Sequence, residues 1–350
     1  MMTPRLFTQI FIIALSVFIF SSCKDNSTGP VVTPSVLHGV YVSIENPHVG
    51  GSDYCFLDLD KDTVFNNVFE NANGSAFIDG PGKIVIIGQN LYMVCAGPPT
   101  QGGKIYEVSI SNNHLIKSQA FGNGPRSFDV DNGNIFASSA GGGYITQLDL
   151  GLHVLADFVD VGYTPGKVSY TSGKFFVCKS PTALDKALAI VNETSLLVNQ
   201  VSYNFLPIAF VNNPSGYYLA GIARKYVYRL DPATYNPVDS IVLSTTGNSV
   251  VDMAKEGDTK LLVTVDSSEV WEVNLASNPP TSKILIQSPG GRFKITAVGY
   301  EAMTSRIYLL DNDGGPPYFG IVRVYDPATG AQLKFYSTLG RNPNSMAFKY

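Results

Sequence analysis

The sequence predicts an all-β chain folded as a seven-bladed β-propeller, with four-stranded antiparallel blades and a ring closed when the C-terminal strand completes the first blade. Three observations predict it. A column of short polar anchors recurs seven times, each at the end of a strand-like run. A segment rich in aromatic and β-branched residues precedes every anchor. The chain also stops one strand into a new repeat, at "GRNPNSMAFKY" (residues 340 to 350).

The anchors come first, because fixed-period self-similarity marks repeat architectures. They lie in "YCFLDLDKDTV", "IYEVSISNNHLI", "ITQLDLGLHVL", "LAIVNETSLLV", "VYRLDPATYNPV", "VWEVNLASNPP" and "VRVYDPATGAQL". The anchor residues are Asp58, Ser109, Asp149, Asn192, Asp231, Asn274 and Asp326, spaced by 51, 40, 43, 39, 43 and 52 residues. A short polar side chain here accepts hydrogen bonds from backbone N–H groups one or two residues on, and Pro232 and Pro327 pre-set the backbone angle that follows. These residues are therefore hairpin corners and not catalytic carboxylates.

The upstream segments "GVYVSIEN", "NLYMVCAG", "NIFASSAG", "KFFVCKS", "YYLAGIA", "KLLVTVD" and "RIYLLDN" have the composition of strands. From residue 37 onward no 3.6-residue period is sustained, so almost no helix is expected. Residues 36 to 350 divide into seven units of 45, the span of a four-stranded blade. Blades cover one another on both faces, which accounts for strands that are nearly continuous in apolar residues. The first unit begins at a second strand, and "PNSMAFKY" supplies its missing innermost strand, leaving no open sheet edge.

The first residues stand apart from this pattern. Arg5 is the only charge in residues 1 to 22, and "IFIIALSVFIF" (10 to 20) is followed by the small pair Ser21 and Ser22, the layout of a signal peptide. Cys23 follows, and "FSSC" resembles the bacterial lipobox, with Phe20 where Leu is usual. That resemblance implies lipidation at Cys23 and an exported lipoprotein of the bacterial cell envelope, at the outer membrane on its periplasmic or surface face. Residues 24 to 36, rich in Pro, Ser and Thr, read as a tether, and residues 37 to 350 as the propeller. Without residues 1 to 22 the chain carries 23 Lys plus Arg against 28 Asp plus Glu. An acidic balance of this kind excludes non-specific nucleic-acid binding. The remaining thiols, Cys55, Cys95 and Cys178, are expected to be buried and unpaired. The expected state is a monomer.

With a Pro-led strand start, an "IYLLDN"-type second strand and a "VYDPATG" corner, the units resemble the seven-bladed YVTN or surface-layer type of propeller of exported bacterial proteins. The resemblance implies fold more than function, since that family includes binding, scaffolding and enzymatic members. Similar surface lipoproteins capture cobalamin, which by resemblance makes a corrinoid one candidate ligand.

The search for chemistry excludes more than it finds. His38, His48, His114 and His153 avoid the expected inner strands, and no "GxSxG" elbow occurs, so triad hydrolysis is not expected. The cysteines lack zinc-ligand spacing, and no cofactor is implied. Asp311 and Asp313, in "DNDGGPPYFG", are kept as a candidate cation pair, although the loop lacks the bidentate Glu of an EF-hand. Trp271 shares a repeat column with Tyr106 and Tyr228, which points to blade packing.

Positions that break the repeat point to the ligand. Aligning the starts of the innermost strands places Gly82, Arg126, Gly166, Ile208, Asn248, Lys294 and Asn344 in one column, with Lys83, Lys167 and Arg341 beside it. Five basic residues and no carboxylate are expected at this rim, which would attract an anionic group. The expected function is a non-enzymatic, lipid-anchored propeller that binds a small anionic ligand or an envelope protein partner at this rim. The alternatives are metal-assisted lactone or ester hydrolysis and cobalamin capture.

Overall fold

The computed structural model describes residues 38–45, 52–97, 102–162, 164–183, 185–288, 294–312 and 319–350. The expected signal peptide (residues 1 to 22), Cys23, the expected tether (24 to 36), His48 and Asp313 lie outside them.

Seven four-stranded antiparallel sheets form the blades of a β-propeller. Blades 2 to 7 begin with the inner strands Pro81–Ile87, Pro125–Asp131, Pro165–Thr171, Leu206–Asn213, Val250–Glu256 and Ile295–Glu301. Blade 1 takes its inner strand from the other end of the chain, Arg341–Lys349, which pairs with Gly39–Glu45 through Val40↔Phe348 and Val42↔Met346. The expected closure is thus the observed one.

The core is divided into seven apolar clusters, one between each pair of neighbouring blades. In blade 2, Leu91, Met93 and Cys95 pack toward blade 1 with Tyr41, Tyr54 and Phe56. The intervening Tyr92 and Val94 pack toward blade 3 with Phe128 and Ile135. Strand periodicity of two sends alternate side chains to opposite faces, and both faces here are apolar because both are covered. Aromatic pairs reinforce several of these contacts, among them Phe136 on Phe175 at 3.8 Å and Phe176 on Phe210 at 4.1 Å between ring centroids. Trp271 belongs to one cluster and donates its indole N–H to Glu269 at 2.9 Å. Cys55, Cys95 and Cys178 are buried and unpaired.

The anchors close the third strand of each blade as expected, but six of them reach two or three residues ahead instead of one or two, and Asp149 accepts from the His153 N–H four ahead at 2.8 Å. Asn192 Oδ1 accepts from the N–H groups of Thr194 (3.0 Å) and Ser195 (2.8 Å), and Asp231 Oδ1 from Ala233 (3.0 Å) and Thr234 (2.7 Å). Helix is confined, among the described residues, to α1 (Val68–Asn73), inserted after the outer strand of blade 1. The buried Asp53 carboxylate holds its first turn through the N–H groups of Phe69 (2.9 Å) and Glu70 (3.0 Å).

Candidate functional site

Each inner strand faces the channel with a sheet edge, whose backbone groups must find partners other than a further strand. Side chains of the preceding blade supply them. Ile84 N–H donates to Ser345 Oγ (3.2 Å), Val168 N–H to Ser127 Oγ (3.1 Å), Tyr170 N–H to Asp129 (2.7 Å) and Val298 N–H to Asp252 (3.1 Å). Polar residues on the inner strands therefore have a structural duty first. Ser345, Ser127 and Asp252 also reach the channel cavity, so duty and exposure coincide there.

Every inner strand of blades 2 to 7 carries a β-bulge near its start. The register runs Pro81↔Cys95 and then Ile84↔Met93 in blade 2, and Val250↔Val265 and then Asp252↔Thr264 in blade 6, gaining one residue each time. Blades 3, 4, 5 and 7 repeat this shift. Bulges turn side chains out of the regular ladder, and here they do so at the mouth of the channel.

A cavity of about 420 Å³ occupies this level and is lined by residues of all seven inner strands. That volume is in the range of small-molecule sites. Register fixes its two layers. The outer layer comprises the column of Gly82, Arg126, Gly166, Ile208, Val251, Thr296 and Asn344, of which all but Gly82 line the cavity; the second comprises Lys83, Ser127, Lys167, Ala209, Asp252, Ala297 and Ser345.

Four of the sequence-derived rim residues, Lys83, Arg126, Lys167 and Asn344, line the cavity, and three do not. Asn248 lies three residues before the true column position, Val251, with its N–H donated to Asp266 at 3.2 Å. Lys294 lies two residues before Thr296, with its N–H donated to Asp311 at 2.7 Å. Arg341 is exposed at the start of the closing strand. Five blades have Pro immediately before the column position, at Pro81, Pro125, Pro165, Pro207 and Pro343, whereas blades 6 and 7 have Val250 and Ile295 there, so the marker that aligns the others is missing.

The expectation of a rim without carboxylates is corrected as well. Lys83 Nζ lies 3.5 Å from Asp129 and 3.4 Å from the Val168 carbonyl, two blades away. Lys167 Nζ bonds Asp252 and lies 3.4 Å from the Val251 carbonyl, again two blades away. Both lysines therefore span the channel as chords. Lys179, unrecognised in the sequence because it belongs to a second strand, is fully buried at the cavity wall. Its ammonium donates to the Val161 carbonyl at 2.6 Å and pairs with Asp185 at 3.1 Å. Arg126 is exposed and has no hydrogen-bond or ion-pair partner among the described residues. Ile208 and Val251 give the outer layer on blades 5 and 6 its apolar surface, whereas Phe210, Met253 and Val298 below them are turned into the clusters between blades.

Nucleophile and metal chemistry find little here. Burial pushes the Cys178 thiol up to about 12, opposed by Lys167 and Lys179, and burial raises Cys55 and Cys95 further, so all three stay protonated near neutrality. Asp311 is buried and spent on the Arg323 guanidinium at 2.7 Å and the Lys294 N–H, which leaves it committed away from a cation. Among the described residues no group of three or more His, Cys, Asp or Glu is placed to hold a metal. His38 is buried 3.6 Å from Glu301, and His114 and His153 sit at exposed corners.

Fold and cavity together define a seven-bladed β-propeller with an asymmetric channel mouth of mixed polar and apolar lining. The chain is similar in structure to a quinonprotein alcohol dehydrogenase-like protein from Bacteroides thetaiotaomicron, with a TM-score of 0.70, 12% identity and coverage of 89% of this chain and 78% of that one. It is also similar to a candidate 6-phosphogluconolactonase from Bacteroides fragilis (TM-score 0.63, 13% identity, 91% and 99% covered). A third similar structure is the dihydro-heme d1 dehydrogenase NirN (TM-score 0.53, 15% identity, 89% and 75% covered). At such identities the likeness extends to the fold alone. No protein-family model and no curated protein matches the chain.

Proposed function

We propose that this chain is a non-enzymatic, envelope-anchored propeller of the YVTN or surface-layer type, tethered through a lipid on Cys23, that binds a small ligand at its channel mouth. The observation that carries this reading is the cavity of about 420 Å³ to which all seven inner strands contribute and in which the repeat is broken by charged side chains. Rigid rings with a variable central mouth suit recognition. A hydrolase or oxidoreductase reading draws on the names of the similar structures, but Asp252 and Asn344 are a sparse donor set for a metal on the axis. Corrinoid capture remains a special case of the binding reading.

A thermal-shift screen of the purified protein with corrinoids, haem, oligosaccharides, anionic metabolites, lactones and divalent ions tests it. A ligand at a hundred times its Kd adds about 2.7 kcal/mol to folded-state stability. The expected result is stabilisation by an organic ligand that is lost in Val251→Trp, which fills the mouth from a half-buried position. Stabilisation that survives this substitution, or turnover of a lactone, overturns the reading. Replacement of Cys23 with Ser is expected to release the protein from membranes.

A further inference from the structure

We propose that the ligand of this mouth is a monocarboxylate carried on an apolar body, with Arg126 as the residue that receives its charge. This inference rests on the binding reading above and specifies its chemistry.

The charge inventory singles out Arg126. Four cations reach the cavity, Lys83, Arg126, Lys167 and Lys179. Three of them are already matched, Lys83 by Asp129, Lys167 by Asp252 and Lys179 by Asp185. Two of those carboxylates are fixed in place by further work, since Asp129 also receives the Tyr170 N–H and Asp252 the Val298 N–H. A ligand does not displace them without stranding a backbone donor. Arg126 alone among the cavity's cations has no counter-ion among the described residues. One uncompensated positive charge matches a monoanion, whereas a phosphate monoester brings between one and a half and two negative charges. The planar guanidinium also suits the two oxygens of a carboxylate.

The rest of the ligand is specified by another part of the lining. Further round the ring from Arg126, on blades 5 and 6, the outer layer turns apolar at Ile208 and Val251. The lysine chords cross the channel at the second layer, so the mouth is a cup with a polar floor. An apolar body can lie against Ile208 and Val251 while its carboxylate stays with Arg126 near water. A purely polar anion leaves those two side chains without a partner, and a neutral amphiphile leaves Arg126 without one.

Calorimetric titration of the purified protein at low ionic strength with octanoate, octanamide and octyl phosphate tests the assignment. Octanoate is expected to bind about ten-fold tighter than octanamide. Arg126→Ala should abolish that difference while leaving octanamide affinity unchanged, and Arg126→Lys should restore part of it. Arg126 is exposed, so these variants are expected to fold; an unchanged melting temperature verifies this. Equal affinity for octanoate and octanamide, an Arg126→Ala protein that binds octanoate normally, or octyl phosphate binding more than about ten-fold tighter than octanoate overturns the monocarboxylate assignment. The two readings fail separately. If none of the three probes binds but another compound's stabilisation is lost in Val251→Trp, the cup stands and its assigned chemistry falls. If no compound responds to Val251→Trp, the cup itself falls.

Discussion

The corners at the ends of the third strands and the ring of inner-strand starts are built from the same seven repeats, yet they differ in what they preserve. At the corners the residue type is kept, and at six of the seven so is its bond: Asp, Asn or Ser accepts from the N–H groups two or three residues ahead. Around the ring, on blades 2 to 7, only the backbone event is kept, the one-residue bulge, while the side chain at the second layer runs from Lys to Ser, Ala and Asp. Constancy at the corners reflects a local requirement that each blade meets alone. Variety at the ring reflects cross-blade contacts that seven different neighbours solve differently. A ligand meets the second kind of position.

Substitutions at four positions sharpen or break this contrast. The largest effect is expected from Lys179→Ala, which empties a fully buried ammonium site and leaves the Val161 carbonyl and the partly exposed Asp185 unmatched. Loss of one partner of a buried pair costs about 3 kcal/mol, to be read from the denaturant midpoint. Asp252→Ala follows at about 2 kcal/mol, because it removes the acceptor of the Val298 N–H together with the partner of Lys167. Asp252→Asn should recover part of this by keeping an acceptor.

A pH effect comes next, at a position where blade 1 departs from the repeat. Burial pushes the Asp53 carboxyl up to about 7, against the pull of the Tyr54, Glu70 and Phe69 N–H groups. The folded chain therefore holds this proton more tightly than the unfolded one, whose value stays near 3.8. Its stabilising contribution is complete below that value and is lost as pH rises through about 7. The melting-temperature difference between wild type and Asp53→Asn should fall across this window and then level off. A difference that grows with pH would mean that the three N–H groups outweigh burial. The smallest effect is expected at a corner, where Asn192→Ala should cost about 0.5–1 kcal/mol. A corner loss equal to that of Asp252→Ala would erase the distinction between the two regions.

The same contrast explains what could be read before the fold was known. Corners are written in adjacent residues, so Asp231 and Asp326 disclose themselves through the "DPAT" that follows. The ring is written in alignment between distant segments, and it was legible only where Pro marked the start. Lys83, Arg126, Lys167 and Asn344 follow such prolines, at Pro81, Pro125, Pro165 and Pro343. Asn248 and Lys294 were drawn from the two blades that lack the marker, and the carboxylate of Asp252 went unseen for the same reason. Lys179 was hidden differently: its second-strand column holds Cys95, Ser139 and Val265 in other blades, and nothing local signals that an ammonium is buried there.

The closure of blade 1 bears on how the protein withstands force. Gly39–Glu45, the first strand of the described chain, lies inside its sheet, with Arg341–Lys349 on one side and Ser52–Asp58 on the other. A pull on the chain ahead of Gly39 is shared by two hydrogen-bonded ladders, where a strand at the rim of a sheet would peel from one. Forced unfolding is a matter of rate, set by the barrier to the first rupture. Two ladders on that strand raise the barrier to any pull applied through the N-terminal segment, against which the C-terminal strand would act as a mechanical clamp.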